Sequence, residues 1–349
     1  MPGNCSKKAH LRYQIRIYPR VGVLKKRTVS RAGKVLNHFL EFMWKMGLPS
    51  VFLCVLFTHP AFAMPKWRPE FEGKWNLTYK IGDEWGKLIV TAEQLTKESG
   101  AFKRAAMATA KVTGGTAFFL GRFNAHQVAV TNYHVMKKAS DCEGMFVIFR
   151  SLGLKHTCEK FLGAWPEIDL ALFTLKSESN EQDLILEDVA RNFAFKEDIY
   201  PGQRLLTMGY GIAGNRWGDL VAVQDADCRV FSAKNDFRLM ADPDEINPEA
   251  YKAWSFSNGC DVSHGDSGSA MIDRDTGQVV GIIWTGKFPK NPKVQSSKYL
   301  ETLLKEGGRE IWTELSYAVP ARAIYYQLQK AIEKMSDGNT RDTLRDIIR

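Results

Sequence analysis

The residues best suited to catalysis surround one serine, in the run Gly265-Asp-Ser267-Gly-Ser. A serine hydroxyl is a weak nucleophile unless a nearby base removes its proton. A glycine two residues before the serine lets the backbone turn its N–H inward, so the N–H groups of Gly265 and Ser267 could stabilise an oxyanion. The run therefore predicts a hydrolase with Ser267 as its nucleophile.

The order of residues along the chain narrows the class of hydrolase. None of the seven histidines follows Ser267. An α/β-hydrolase needs its histidine after the nucleophile, and esterases with a Gly-Asp-Ser motif also place theirs near the C-terminus. Both classes are excluded, which leaves the order histidine, aspartate, serine.

His134 and Asp169 are the residues that fit this order. His134 follows the apolar run 127–131, and the other histidines of the mature chain are expected in surface loops. Asp169 opens the apolar run 170–175, where a carboxylate is costly to bury unless it is paired. We expect His134 to be the base and Asp169 to orient it, with Glu167 as the alternative to Asp169.

The elements that must position these residues are short strands from Gly114 onward. β-Branched and aromatic residues in runs bounded by turn residues are typical of all-β sandwiches and barrels. A polar stretch, residues 176–200, divides the runs into two sets, which predicts two β units. The predicted strands are 116–120, 127–131, 145–149, 170–175, 204–208, 220–223, 269–272 and 278–284.

Helical patterns flank the predicted strands. Residues 93–109 could form a helix, which Gly100 interrupts. Residues 321–335 place apolar side chains at helical spacing behind Pro320, which predicts a C-terminal helix. Residues 336–349 are expected to be a polar tail.

Five motifs follow one another along the chain: Gly114-Gly-Thr-Ala-Phe-Phe-Leu120, Thr131-Asn-Tyr-His134-Val, Ile168-Asp169-Leu-Ala-Leu, Gly265-Asp-Ser267-Gly-Ser and Gly281-Ile-Ile-Trp-Thr-Gly286. In this order they resemble the bacterial trypsin-like serine peptidases of the chymotrypsin fold, related to the glutamyl endopeptidase-like group. The resemblance covers roughly residues 110–335. It implies an all-β fold of two six-stranded barrels, 110–195 and 196–335, the second ending in the C-terminal α-helix.

The resemblance also implies where substrate binds. Trp284, Thr285 and Gly286 would pair with the substrate backbone as an added strand. Asp261 stands six residues before Ser267, where trypsins carry the pocket acid that binds Arg or Lys; the alternative is a loop hydrogen bond. Ile283 occupies the place of the histidine with which glutamyl endopeptidases read an acidic substrate, so specificity for Glu is not expected.

Two further features of trypsins bear on activation. Asp266 matches the aspartate that, in trypsins, can pair with a freshly cut N-terminus. Lys111-Val-Thr-Gly superficially resembles a cleavage site, but only 22 residues separate Val112 from His134. We therefore do not expect activation by cleavage at Lys111. The long insertion 287–313, next to the substrate strand, could shape specificity or be a tolerated surface insertion.

The charge of the chain is concentrated in a predicted export signal. Residues 1–63 contain eleven Lys or Arg and one Glu, so residues 64–349 carry about −1 of the total net charge of +9, and a nucleic-acid partner is not expected. An apolar run of about ten residues and Ala61-Phe-Ala63 follow, the parts of a cleaved signal peptide. Met43 or Met46 would give a start of ordinary length. Residues 64–109 would then be an N-terminal extension.

Export permits disulfides. Four cysteines lie after residue 63, and four allow three connectivities. Sequence proximity favours Cys142 with Cys158 and Cys228 with Cys260.

Two functional hypotheses remain. The first is a secreted or periplasmic serine endopeptidase acting on protein or peptide, with no metal or organic cofactor and no membrane anchor after signal removal, and expected to be a monomer. The second is a latent or inactive member of the same fold that binds peptides or a partner protein. The complete set of His134, Asp169, Ser267 and Gly265 favours the first.

Overall fold

The computed structural model describes residues 80–98, 100–212, 218–242, 252–286, 289–306 and 310–349. The signal segment expected at 1–63 lies outside these residues. Across the described part of the chain, no helix is both long and apolar enough to cross a bilayer.

The described chain begins with an extension of one strand and two helices. Strand β1 (Lys87–Ile89) is followed by α1 (Ala92–Lys97) and α2 (Gly100–Ala108). Helix α1 starts with a capping box, in which the Thr91 hydroxyl accepts from the Gln94 N–H and the Gln94 side chain accepts from the Thr91 N–H. The helix expected over 93–109 is therefore two helices, divided ahead of Gly100.

The first unit is a closed antiparallel barrel in the order β2-β3-β4-β7-β6-β5. Neighbouring residues along β3 and β4 point to different cores, one inside the barrel and one facing the second unit. Both faces are buried, which is why these strands appear in the sequence as unbroken apolar runs. The strands are β2 (Thr109–Val112), β3 (Gly115–Phe123), β4 (His126–Thr131), β5 (Phe146–Phe149), β6 (Leu154–Trp165) and β7 (Leu170–Leu175).

The second unit is a sheet with the order β1-β9-β8-β12-β13-β14-β11-β10. The chain that follows β9 makes two isolated β-bridges. Arg229 pairs with Arg204, just ahead of β8, and Val230 pairs with Asn258 in β11. The second six-stranded barrel expected from the sequence is therefore observed as an eight-stranded sheet, in which the two bridges connect the segment before β8 to β11. The strands are β8 (Leu205–Gly209), β9 (Val221–Val223), β10 (Arg238–Ala241), β11 (Lys252–Asn258), β12 (Ala270–Asp273), β13 (Val279–Thr285) and β14 (Ser316–Pro320).

This architecture confirms the mostly-β fold of the chymotrypsin type. Each of the eight strands expected from the sequence coincides with an observed strand, whereas β1, β2, β6, β10, β11 and β14 were not anticipated. The helices that follow the extension are α3 (Ala139–Cys142), α4 (Asn180–Asp188), α5 (Ser297–Glu306), α6 (Ala321–Lys334) and α7 (Gly338–Ile347). Short 3-10 turns lie at Arg150–Leu152, Pro166–Ile168, Pro292–Gln295 and Glu310–Glu314.

The C-terminal region contains two helices where the sequence predicted one. Helix α6 buries Ile324, Leu328 and Ile332, as its spacing predicts. Residues 336–349, expected to be a polar tail, form α7 instead. The Asp337 side chain caps this helix, and Leu344 and Ile347 are buried at a spacing of three residues. This short apolar face is too sparse to stand out among the surrounding charges.

Two disulfides connect the pairs favoured by sequence proximity. Cys142 at the end of α3 is bonded to Cys158 in β6, with 5.3 Å between their Cα atoms. Cys228, after β9, is bonded to Cys260, seven residues ahead of Ser267. The second disulfide therefore anchors the start of the loop that carries the serine.

Candidate active site

His134 and Asp169 are joined in the first barrel. The Asp169 carboxylate lies 2.8 Å from His134 Nδ1 through one oxygen, and its other oxygen accepts the His134 backbone N–H at 3.0 Å. Asp169 is fully buried, whereas His134 retains 29% of its side-chain exposure. The buried carboxylate thus fixes a histidine whose ring still reaches the surface.

The backbone around Asp169 is held in an unusual conformation. Pro166–Ile168 forms a 3-10 turn, and Asp169 follows it with φ 36°, in the left-handed region. The Asn132 side chain donates to the Asp169 carbonyl at 2.8 Å. A non-glycine residue in this region costs about 1 kcal/mol or more, and the surrounding hydrogen bonds hold it there. The turn directs the carboxylate towards His134.

Ser267 lies on the loop between β11 and β12, against the start of the first barrel. Its carbonyl accepts from the Thr116 N–H at 2.8 Å, and the next residue, Gly268, donates to the Ile283 carbonyl at 2.9 Å. The Ser267 hydroxyl donates to the Trp284 carbonyl at 3.4 Å. The loop is therefore fixed from both units.

Gly265 makes the tight turn that the sequence pattern predicted. Its φ is +96°, and a Cβ at this position would lie 2.6 Å from the Tyr210 carbonyl oxygen. Its carbonyl accepts from the Thr116 hydroxyl at 2.7 Å, and the same hydroxyl accepts the Tyr210 N–H at 3.0 Å. Thr116, which the sequence analysis did not single out, thus connects the first barrel to the serine loop.

Residues 115–282 match the family model described as "Trypsin-like peptidase domain". The chain contains a trypsin-like peptidase domain. This assigns the protein to the serine peptidases, a class of hydrolases, and confirms the resemblance at the level of the family. The relation to the glutamyl endopeptidases stays a prediction.

Solved structures similar to this peptidase domain are proteases of low sequence identity. The inactive form of a mutant of Rv3671c from M. tuberculosis H37Rv is 17% identical, covers 72% of this chain and 99% of its own, and has a TM-score of 0.45. The HtrA-type protease AlgW with a decapeptide is 18% identical, covers 67% of this chain and 66% of its own, and has a TM-score of 0.42. No curated protein shows significant similarity to the chain.

The electrostatics of the peptidase domain favour a basic imidazole. Burial of the His134 ring opposes its protonation, but the charge and hydrogen bond of Asp169, with a further contribution from Asp242, outweigh this and raise the pKa of His134. Burial raises the pKa of Asp169 above its usual range, although the His134 ring and backbone N–H partly offset the increase. Asp242, just after β10, was not identified from the sequence.

The residues expected to bind substrate differ in which of their groups are already engaged within the protein. The Trp284 ring is buried, donates to the Ser255 hydroxyl at 2.9 Å and stacks on Tyr317, so its main chain alone can reach substrate. The Thr285 hydroxyl donates to Asp242 at 3.1 Å. Gly286 lies against Val262, because a Cβ at Gly286 would be 2.5 Å from a Val262 methyl carbon.

Asp261 does not occupy an open pocket, in contrast to the pocket role that the resemblance implies. It is fully buried, and its two carboxylate oxygens accept the backbone N–H groups of Ile81 and Gly86, each at 2.7 Å. Burial, with the nearby charge of Asp225, raises its pKa well above the usual range. A carboxylate occupied in this way holds the N-terminal extension.

The remaining histidines and acids do not add to the site. His156 is buried in β6 with Nδ1 3.2 Å from the Lys176 carbonyl, so it is not the surface residue expected, whereas His264 is exposed. Glu167, the alternative to Asp169, is exposed and its carboxylate accepts from the Gln327 amide at 3.4 Å. Among the described residues, no cluster of His, Cys, Asp and Glu could hold a metal ion.

Proposed function

We propose that the protein is an exported endopeptidase that hydrolyses peptide bonds through Ser267, His134 and Asp169. The observation that carries the proposal is the buried Asp169 carboxylate, 2.8 Å from His134 Nδ1, in a trypsin-like peptidase domain whose serine loop contacts the same barrel.

The reaction follows from the roles of the three residues. Ser267 Oγ leaves its hydrogen bond to the Trp284 carbonyl and attacks the substrate carbonyl while His134 Nε2 takes its proton. Asp169 accepts the Nδ1–H and stabilises the imidazolium. His134 then protonates the leaving amine, and a water molecule, deprotonated by His134, releases the acyl group from Ser267. No metal or organic cofactor takes part in these steps.

The N–H groups of Gly265 and Ser267 are the proposed oxyanion donors. Within the described part of the chain, neither N–H donates a hydrogen bond to another protein group, which supports their being free for a substrate oxygen. The positive φ of Gly265 turns the peptide at this point. Losing one such donor costs about 100-fold to 1000-fold in rate in serine peptidases.

The end of β13 is the proposed binding edge for the substrate backbone. On its other side, β13 pairs with β14 as far as Thr285, opposite Tyr317. On the side of β12, Gly268 donates to the Ile283 carbonyl, and the Ser267 hydroxyl donates to the Trp284 carbonyl. We take the main chain of residues 284–286, next to the serine, as the place where a peptide adds as a strand. Cleavage after Arg or Lys is not part of the proposal, because Asp261 is occupied.

Export is supported by the two disulfides, which persist in oxidising compartments. The cleavage site proposed near Ala63 can be checked by N-terminal sequencing of material from the periplasm and the medium. An N-terminus at Met1 in that material would refute the cleavage.

A fluorophosphonate probe tests the assignment of Ser267. We expect the protein with both disulfides formed to be labelled at Ser267 and the Ser267→Ala variant to remain unlabelled. His134→Ala should slow labelling by about 1000-fold or more, because the hydroxyl loses its base. Labelling that persists in Ser267→Ala would refute the assignment. A peptide library then defines the residues preferred around the cleaved bond.

A latent peptidase is the second candidate, and two contacts favour it. The Ser267 hydroxyl is engaged by the Trp284 carbonyl, and Gly286 lies directly against Val262, which leaves little width for a substrate side chain between them. If a folded protein is not labelled, limited proteolysis or a peptide ligand should induce labelling in a latent enzyme. A protein that is never labelled but retains peptides would be a binding protein.

A further inference from the structure

A buried lysine of the N-terminal extension contacts the residue next to the nucleophile. Lys87 Nζ lies 2.5 Å from an Asp266 carboxylate oxygen and donates to the Ser263 hydroxyl at 2.6 Å. The side chains of Lys87 and Asp266 are 0% and 4% exposed. A buried charge without its partner is strongly unfavourable, so the two charges depend on each other.

Asp266 controls the geometry of the serine loop. One carboxylate oxygen accepts the Gly211 N–H at 2.9 Å, and the other accepts the Ser263 N–H at 2.8 Å. The Asp266 N–H donates back to the Ser263 carbonyl at 3.0 Å. The loop between Ser263 and Ser267 is therefore built around this carboxylate, and Gly265 and its N–H lie inside the loop.

The extension is fixed at several points around Lys87. Asp261 accepts the N–H groups of Ile81 and Gly86, and β1 pairs with β9 immediately after them. Lys87 thus follows a segment held by Asp261 and begins a strand held by β9, and its side chain reaches the serine loop. The carboxylate that was expected to read the substrate instead seats the residues that deliver Lys87.

The insertion between β13 and β14 completes the support of the extension. Gly82 donates to the Val294 carbonyl at 2.8 Å. Ile81 is buried with apolar residues of the insertion, Val294, Leu300 and Leu303. This gives the insertion 287–313 a structural task that neither of its sequence interpretations included.

We propose that Lys87 is a positioning residue, which supplies in cis the positive charge that holds the Asp266 loop and its Gly265 and Ser267 N–H groups in the catalytic arrangement. This inference rests on the proposed function, because it takes Ser267 as the nucleophile. It makes the extension a part of the catalytic domain. It also removes the need for a newly cut N-terminus to reach Asp266.

The surroundings of Lys111 agree with this inference. Lys111 lies inside β2, opposite Thr116 on one side and Ile148 on the other. A cut after Lys111 would break a strand of the closed barrel instead of releasing a free end. Activation by cleavage at this bond is therefore not expected on structural grounds either.

The test compares Lys87→Met with a control in the same extension. Lys97→Met also removes an ion pair, with Glu93, but this pair is exposed and contributes little. We expect Lys87→Met to slow fluorophosphonate labelling by about 100-fold or more, the effect of misplacing an oxyanion donor, while Lys97→Met labels like the wild type. Labelling of folded Lys87→Met within threefold of the wild type would overturn the proposal.

A double variant separates loss of charge from loss of folding. Lys87→Met with Asp266→Asn leaves no unpaired buried charge, but the amide keeps only one of the two oxygens that accept the Gly211 and Ser263 N–H groups. We therefore expect it to fold and to be labelled faster than Lys87→Met, yet slower than the wild type. If Lys87→Met does not fold, the double variant decides alone. A double variant labelled at the wild-type rate would show that the ion pair has no positioning role.

Hydrogen exchange keeps the proposal testable if the wild type is not labelled, a result that would count against the proposed function itself. Amides of residues 263–268 should exchange at least tenfold faster in Lys87→Met than in the wild type, and amides of the first barrel should be unchanged. Equal exchange of the loop in both proteins would refute the positioning role independently of activity.

Discussion

Replacing Thr116 with valine should remove the side-chain hydrogen bond from the first barrel to the serine loop without changing the shape of the side chain, while the bond from the Thr116 N–H to the Ser267 carbonyl remains. The buried hydroxyl donates to the Gly265 carbonyl at 2.7 Å and accepts the Tyr210 N–H at 3.0 Å. Each buried polar group left without a partner costs about 1–3 kcal/mol. Two such groups predict a loss of about 2–6 kcal/mol in the free energy of unfolding.

Activity should fall as well, because the peptide of Gly265 carries a proposed oxyanion donor. If about 1.4 kcal/mol of this loss is expressed in the transition state, labelling slows about tenfold. The assay is the fluorophosphonate labelling rate of Thr116→Val, measured beside the unfolding midpoint in urea. We expect a loss of at least tenfold in a protein that is still folded at the assay temperature.

Thr174→Val is the matched control. Thr174 is also buried in the first barrel, and its hydroxyl donates to Glu159 and accepts the Lys160 N–H, each at 3.1 Å. It does not contact the serine loop in these hydrogen bonds, so the labelling rate should stay within twofold of the wild type. Equal rate losses in both variants, or a wild-type rate in Thr116→Val, would refute the reasoning.

Two further predictions concern the electrostatics of the site. Because His134 must be neutral to act as a base and its pKa is raised, labelling should increase with pH around a midpoint above the usual histidine value of 6.5. Asp242→Asn should lower this midpoint and Lys137→Met should raise it, since their charges act on His134 in opposite directions; a midpoint that moves with neither variant would contradict the assignment of the base. Asp261→Ala should leave the ratio of cleavage rates after Lys and after apolar residues unchanged. If the Asp261 carboxylate bound the substrate cation, its removal would slow cleavage of the Lys peptide alone by at least about 30-fold. An assay with one Lys peptide and one apolar peptide would detect this loss.

The sequence predicted the centre of the site because its signals are local. Ser267 and Gly265 lie within one short motif, and His134 and Asp169 follow or begin apolar runs whose burial the composition indicates. The pairing of Cys228 with Cys260 also followed from proximity along the chain. In each case the signal comes from residues that are close together in the sequence.

The features that were missed depend on contacts between distant segments. Lys87 looks like any lysine of a polar stretch until β1 pairs with β9. The pocket role was considered for Asp261 because its position relative to Ser267 matches a pocket acid. Its partners, Ile81 and Gly86, lie in a part of the extension without clear patterning. Contacts between segments that are far apart in the sequence produce no periodic pattern in a single sequence.

The contacts that anchor the N-terminal extension imply that activity appears late during folding. The hydrogen bonds from Ile81 to Asp261 and from Lys87 to Asp266 span 180 and 179 residues, and contacts of such high contact order form slowly. Ile81 also packs on Leu300 and Leu303, so a nascent chain must be synthesised past this helix before residues 81–87 find their place. The serine loop should therefore acquire its counter-charge among the last steps of folding, and a ribosome-bound chain would carry the nucleophile without yet being a competent peptidase.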